Sequence, residues 1–459
     1  MIYFQVTTAR SAYKEPSRRS HTSMFSRTKE RRAELILLTA LAMNVLEGSI
    51  RKWVIVSQGN PLNHIAYFSK DIIFAMLLFL PAGAVAIPAL DVFRRWLLPG
   101  CFLLGFGALL SSTHDFNPVG AVLTLRAVIL LPLIAFYAVP RISRINGISL
   151  QSVACLLGIL TIVNFALGAY QNSLPVDHIL NRYAADTTEI TAVTSGIRAT
   201  GTFSYITGLT IIATMGVWAG LTLISISRNL WYQIFGMAVI ASGFGCGLVS
   251  VSRSPIIAGA GIVIIWILSP AAISLVNLRS LIGGVLFVIL LVSFDLNTTF
   301  SRLQEGLIER HETSEDSMEV RAFGQLDEAL QALYTAPIGI GLGTEQIGGN
   351  YYKSGVMQFT TYENQLPRLV LETGIAGLVG FLLVCTGALL ALQTAKRDAV
   401  SRSQKSILLA TQLMSLPIFY MNIVFNHTAS AFIWIIFTVV LSATYFKKDN
   451  KIEGLSGKD

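Results

Sequence analysis

An all-α polytopic membrane protein of about 12 transmembrane helices, with one long, mostly helical extracytoplasmic loop, is the fold class this sequence predicts. Three observations predict it. The chain is 53% hydrophobic and only 13% charged, where soluble domains carry about 25% charged residues. Its mean hydropathy is +0.61. Its Lys and Arg residues fall in short polar stretches between apolar runs, and those runs approach the roughly 20 residues that a helix needs to cross the hydrocarbon core. The 459 residues leave room for about twelve such runs and call for no separate soluble domain.

Residues 1–32 are polar and basic, with Arg18, Arg19, Arg27, Lys29, Arg31 and Arg32 close before the first apolar run. No small-residue cleavage site follows, so the segment reads as a cytoplasmic tail on an uncleaved signal anchor. Topogenic charge accounts for its composition, and contact with lipid headgroups or nucleic acid is the alternative. Spans are expected at 33–50 and 71–90, with Arg51, Lys52, His64 and Lys70 in the loop between them. Arg94 and Arg95 mark the return. A third span at 96–112 leads through His114 and Asp115 to a fourth that contains Arg126 and ends before Arg141. The fifth, 150–170, opens into a polar loop reaching Ser204. Spans six to nine follow at 205–226, 230–250, 255–276 and 281–294, span ten at 373–392, and two more end at Lys447 and Lys448.

The chain thus divides into a basic tail (1–32), nine spans (33–294), a long polar loop (295–372), three spans (373–446) and a short tail (447–459). Twelve spans put both termini on one side. With that side in the cytoplasm it holds roughly twice the Lys and Arg of the other, the sense of the positive-inside rule, and the long loop is extracytoplasmic. The formal charge of +8 then reads as topology, and nucleic acid is not an expected partner. Cys101, Cys155, Cys246 and Cys385 lie in apolar runs without CxxC or Cys/His spacing, so neither a disulfide framework nor a zinc site is indicated.

In the long loop, Val320, Phe323, Leu326, Leu330 and Leu333 recur at helical spacing and predict a helix over 318–334, stopped by Pro337. In the PIGIGLGTEQIGG run that follows, Gly339, Gly341 and Gly343 let backbone approach a ligand or another chain closely. Without a βαβ context the run is no dinucleotide fingerprint.

Several residues carry candidate chemistry. Arg126 lies well inside span four, where an isolated charge costs about 2.5–3.5 kcal/mol on insertion scales. It must face an anionic group in a cavity, an internal salt-bridge partner, or a path for snorkelling. Arg198, before TGTF, and Arg253, in SVSRSP, sit near span ends, as diphosphate-binding guanidinium groups or as ordinary turn arginines. The loop is acidic overall, so Arg321 and Arg368 must do any anion binding there. His311, Glu312, Glu315, Asp316 and Glu319 read as a divalent-cation site or as a solvated acidic helix end. Glu363, in TTYENQLPRLVLETG, reads as a general base or as an interfacial capping acid. Glu372, Gly374, Gly377 and Gly380 look like the start of a closely packed helix.

Three segments taken together, RATGTFSYITGL, the arginine-led helix ending in APIGIGLG, and ENQLPRLVLETGIAGLVGF, resemble the bacterial O-antigen ligase/polymerase superfamily. The resemblance rests on specific residues at 198–210 and 321–381 and otherwise on topology. It implies a GT-C-like, metal-independent glycosyltransferase of the bacterial inner membrane without cofactors. Its donor would be an undecaprenyl-diphosphate-linked glycan, its long periplasmic loop would close over the site, and a chain-length regulator would be a further partner. On the matching positions the family arginines that contact the diphosphate are Arg198 and Arg321, while Arg126, Arg253 and Arg368 join them on chemistry alone. The ligase branch carries His-Asn where this chain has Glu363-Asn364, which points to a repeat-unit polymerase, with the ligase as alternative. No GxSxG, HExxH, Walker or DxD-like motif appears in the extracytoplasmic loops. A transporter or flippase is the rival class, and it would need ionisable residues in several spans, of which the sequence shows clearly only Arg126.

Overall fold

The computed structural model describes residues 24–55, 61–80, 87–114, 116–146, 149–182, 192–193, 196–275, 318–344, 365–420 and 427–455. In chain order its helices are α1 (Met24–Ser49), α2 (Pro61–Met76), α3 (Pro88–Ser111), α4 (Pro118–Leu125), α5 (Leu131–Asn146), α6 (Leu150–Ser173) and α7 (Ile206–Ile226). There follow α8 (Leu230–Val249), α9 (Arg253–Ile267), α10 (Pro270–Ile273), α11 (Met318–Thr335), α12 (Gln365–Asp398), α13 (Arg402–Tyr420) and α14 (His427–Leu455). Among the described residues seven helices are long and apolar enough to cross a membrane, and Arg253–Ile267 and Thr428–Thr444 are shorter apolar helices. Strand structure in the described residues is one antiparallel pair of two-residue strands, Ala192–Val193 with Gly196–Ile197. The protein is an all-α, multi-pass membrane protein.

Helix α7 is apolar on every side and buried over almost its whole length, with α6, α8, α9 and α13 packed around it. Small residues permit the closest crossings. Side chains at Gly220 or Gly236 would run into the opposing backbone of α8 or α7. The same device holds α3 against α12. Gly100 faces Gly380, and Gly107 faces Thr373 and Gly377, so the two helices run antiparallel with their backbones nearly in contact.

Two expected spans come out differently. The apolar run 71–90 holds a helix end and a helix start: α2 begins at Pro61, passes through a 3₁₀ turn at Leu77–Phe79, and gives way to extended Leu80. Leu80 precedes Pro81, and a following proline disfavours the α conformation. Pro88 then opens α3. Lys70, expected in the loop, is therefore helical. Likewise the run 255–276 breaks after Ile267, where Ser269 caps α10 and Pro270 takes its first position. The expected ninth span, 281–294, lies outside the described residues.

The helix expected at 318–334 is α11, and its packed face is built mainly from small residues. Ala329, Ala332 and Ala336 meet Val370 and Leu371 of α12, while Leu326 and Leu330 are exposed. After Pro337 the chain straps across α12. Ile340 N donates to Leu371 O (2.6 Å), Ile375 N to Pro337 O (2.9 Å), and Asn117 N to Leu342 O (3.2 Å). Helix α12 yields at Gly374, whose φ of +63° is non-helical and whose missing side chain leaves room for Pro337 and Ile338. Gly339, Gly341 and Gly343 all have positive φ. The close approach they permit is within this chain, not to a second one: Gly343 abuts Gly120 and Ala121 at the start of α4.

Candidate functional site

The described residues place an unusual concentration of buried charge where α1, α2 and α4 meet the segment leading into α7. Helix α1 continues beyond Ser49 as a π turn, Ile50–Val54, and a second π turn, Arg126–Leu130, joins α4 to α5. Such widened turns occur often at functional sites, because the extra residue re-aims the side chains around it. The first carries Arg51 and Lys52, and the second carries Arg126. Between them α2 presents Asn63, Tyr67, Lys70 and Asp71.

The polar geometry is tight. Glu47 uses both oxygens, accepting from Arg51 Nη1 at 2.9 Å and from Lys70 Nζ at 2.7 Å. Arg51 Nε donates to Asn63 Oδ1 at 2.7 Å and its Nη1 to Ser204 Oγ at 3.3 Å. Arg126 donates to Asp71 Oδ2 at 2.7 Å and to the Tyr67 hydroxyl at 2.8 Å, while its Nε is buried without a hydrogen-bond partner among the described residues. The Tyr67 ring faces three cations, with Arg51, Arg126 and Lys70 at 4.9, 4.9 and 5.0 Å from its centre. Lys52 Nζ donates to Thr200 Oγ1 and Gly201 O, each at 2.8 Å.

Three basic side chains, Arg51, Lys70 and Arg126, thus share two carboxylates, Glu47 and Asp71, while a fourth, Lys52, is held by Thr200 Oγ1 and Gly201 O. Lys52, Lys70 and Arg126 are at most 4% exposed. Desolvating a charge costs several kcal/mol unless a partner compensates. Three ion pairs compensate part of the set and leave an excess of base, an electrostatic surrounding suited to an anion.

The segment 198–204 is built into this site. Gln171 Oε1 accepts from the backbone N–H groups of Thr200 and Gly201, Asn164 Oδ1 accepts from Thr202 N, and Thr202 Oγ1 donates to Val45 O. Gly201, at φ +57°, fits because a side chain there would meet Asn164. On the other flank Glu372 is buried in α12 and accepts from Thr124 Oγ1 at 2.8 Å, two residues before Arg126.

Of the three expected settings of Arg126, a cavity with an anionic group, an internal ion pair or a snorkelling path, the structure shows the ion pair, with Asp71. Arg198 is half-buried and reaches Ser250 O (3.3 Å) and Ser252 Oγ (3.4 Å), so it fastens its segment to the turn between α8 and α9. Arg253 follows at the first position of α9. Arg368 lies in the first turn of α12 and Arg321 in the first turn of α11. Glu363 and residues 311–317 lie outside the described residues. Of the expected residues, Arg126 is the one that the described residues show in the cluster.

Sequence reading missed Glu47, Tyr67 and Asp71, and it placed Arg51, Lys52 and Lys70 in a loop. One signal was present. Glu47 and Arg51 are four residues apart, the spacing of a helical ion pair, which extends the first helix beyond Ile50. The class that fold and site define is a multi-pass helical membrane protein with a buried, base-rich polar cluster. No protein-family model matches the chain, and no curated protein matches it.

Proposed function

We propose that the protein is a bacterial inner-membrane glycosyltransferase that polymerises undecaprenyl-diphosphate-linked oligosaccharide repeat units into O-antigen, capsule or exopolysaccharide. In this reading about twelve spans carry a long periplasmic loop, both termini are cytoplasmic, and the cluster end of the bundle faces the outer leaflet. The observation that carries it is the excess of buried base around Tyr67, beside a segment, 198–204, that bears the resemblance. A lipid diphosphate is a competent leaving group when fixed cations absorb its developing charge. An acceptor hydroxyl oxygen attacks the anomeric carbon, the bond from that carbon to the diphosphate oxygen breaks, and the hydroxyl proton passes to a base, for which Glu363 is the candidate. One displacement inverts the anomeric centre. Arg198 and Arg321, carried over by the resemblance, and Arg253 and Arg368, on their chemistry, are the further candidates for contact with the diphosphate.

The test is chain extension by purified protein in detergent, given a lipid-linked oligosaccharide and EDTA. Extension is expected, falling at least tenfold in Lys70→Met and in Arg126→Lys at normal protein yield. Undiminished extension in both variants would remove the cluster from the reaction. Deletion in cells should leave single repeat units in place of a ladder; an intact ladder lacking only its attachment to lipid A-core would mean the ligase instead.

A second reading, a lipid-linked glycan transporter or flippase, gains support from one observation. Buried ionisable groups occur on α1, α2, the Arg126 turn and α12, more segments than the sequence suggested. Extension in detergent, where no transport takes place, excludes a pure transporter.

A further inference from the structure

Helix α11 carries two apolar faces. One is small-residue and buried: Ala329 and Ala332, with Ala336 just beyond, pack on Val370 and Leu371 of α12. The other consists of Leu326, Leu330 and Tyr334, one helical turn apart and 48, 62 and 90% exposed. Beside it runs a polar stripe of the same spacing, Asp327, Gln331 and Thr335, also exposed. A water-facing helix has no use for an apolar ladder of this size, whereas a helix lying in the membrane–water boundary needs one apolar stripe flanked by a polar one.

Continuity identifies the occupant. The ladder runs on through the strap, where Ile338 and Ile340 are exposed, to Ile375 and Val379 on the outward face of α12. Next to these, across the glycine seam, stand Leu109, Leu110, Phe106 and Phe102 of α3, exposed in turn. Those residues belong to two helices long and apolar enough to span the bilayer, so their exposed faces meet acyl chains. The strap is fixed to α12 by the Ile340–Leu371 and Ile375–Pro337 backbone bonds, which hold α11 at the level where α12 begins.

We propose that α11 is an interfacial helix, seated on the bilayer surface with Leu326, Leu330 and Tyr334 at the headgroup–acyl boundary. Its occupant is lipid. Tyr334 suits that position because an aromatic ring with a polar tip prefers the interface. Helix α11 thereby has two anchors, one protein and one lipid, and the strap links its position to the Gly374 break and, through Glu372 and Thr124, to the segment that bears Arg126. The seating does not depend on which reaction the protein performs.

Site-directed spin labelling in lipid nanodiscs tests it. Leu330→Cys, Tyr334→Cys, Asp327→Cys and Gln331→Cys all replace exposed side chains, and the chain without an added cysteine gives the background. Nitroxides at 330 and 334 should collide at least threefold more with oxygen, which partitions into lipid, than with a water-soluble nickel chelate, and labels at 327 and 331 should show the reverse. Nickel-dominated collisions at all four sites would place the ladder in water and overturn the proposal. So would low collision rates with both agents at 330 and 334, which would mean that protein, a second copy or another partner, covers it.

Discussion

At the scale of residues, Glu47 holds two cations with its two oxygens, and its loss has a calculable direction. Glu47→Gln leaves Arg51 and Lys70 facing each other across a neutral amide in a buried site, a loss of the kind that costs about 3–5 kcal/mol. Thermal unfolding in detergent should show the drop. Adding Lys70→Met should recover part of it, since the second change removes the charge that the first left uncompensated; strictly additive losses would mean that the two residues are not coupled. Inorganic pyrophosphate should also stabilise Glu47→Gln more than the parent chain, because the variant has a larger excess of base. Arg126 was legible in the sequence because it stands alone in an apolar run. Lys70 was not, because a charge ahead of an expected span reads as loop until a helix is known to begin before it. Glu47, inside the expected first span, was not legible either, because both its partners, Arg51 and Lys70, read as loop residues. The π turn after Ser49 makes Arg51 helical, and the early start of α2 at Pro61 does the same for Lys70.

At the scale of elements, glycine decides how near the helices lie. Gly107 and Gly105 stand two residues apart on α3 with similar sequence surroundings. A side chain at Gly107 would collide with the backbone of α12 at Thr373 and Gly377, whereas at Gly105 nothing lies within 4 Å. Gly107→Ala should therefore lower the unfolding temperature and loosen the α3–α12 pair, by about 1–3 kcal/mol for overpacking, while Gly105→Ala should leave it unchanged or slightly raised. Equal effects at the two positions would show that the seam does not hold the helices at this distance. Helix extents were readable in the sequence, from apolar run length for α6, α7 and α8 and from periodicity for α11, all lying within a few residues of their expected bounds. The face each helix buries was less readable. In α11 Ala329 and Ala332 pack inward with Leu333 beside them, while the larger Leu326 and Leu330 point out, because closeness to α12 favours small side chains.

At the scale of the whole molecule, hydrogen bonds and crossings sort the helix ends into two groups. At one end lie the C-termini of α1, α3 and α6 and the N-termini of α7 and α12. Arg51 reaches Ser204, Gln171 holds Thr200 and Gly201, and Gly107 abuts Thr373. At the other end Glu34 accepts from Ser149 N, and Ser403 and Ser406 bond to Ser225, which brings together the N-termini of α1, α6 and α13 with the C-terminus of α7. That second end carries Arg228, Lys396, Arg397, Arg402 and Lys405, and loop Lys and Arg remain in the cytoplasm. The two groups therefore make one joint prediction about sidedness. Cysteines introduced at the exposed positions Thr113 and Asp177 should react with a membrane-impermeant maleimide in intact cells, and cysteines at Arg228 and Val400 only after permeabilisation. The pairing tests the fold and the side tests the charge rule. A split between Thr113 and Asp177 would break the grouping of helix ends, whereas the reverse labelling of both pairs would keep the fold and turn the cluster of Glu47, Lys70 and Arg126 to the cytoplasm, where a periplasmic glycan could not reach it.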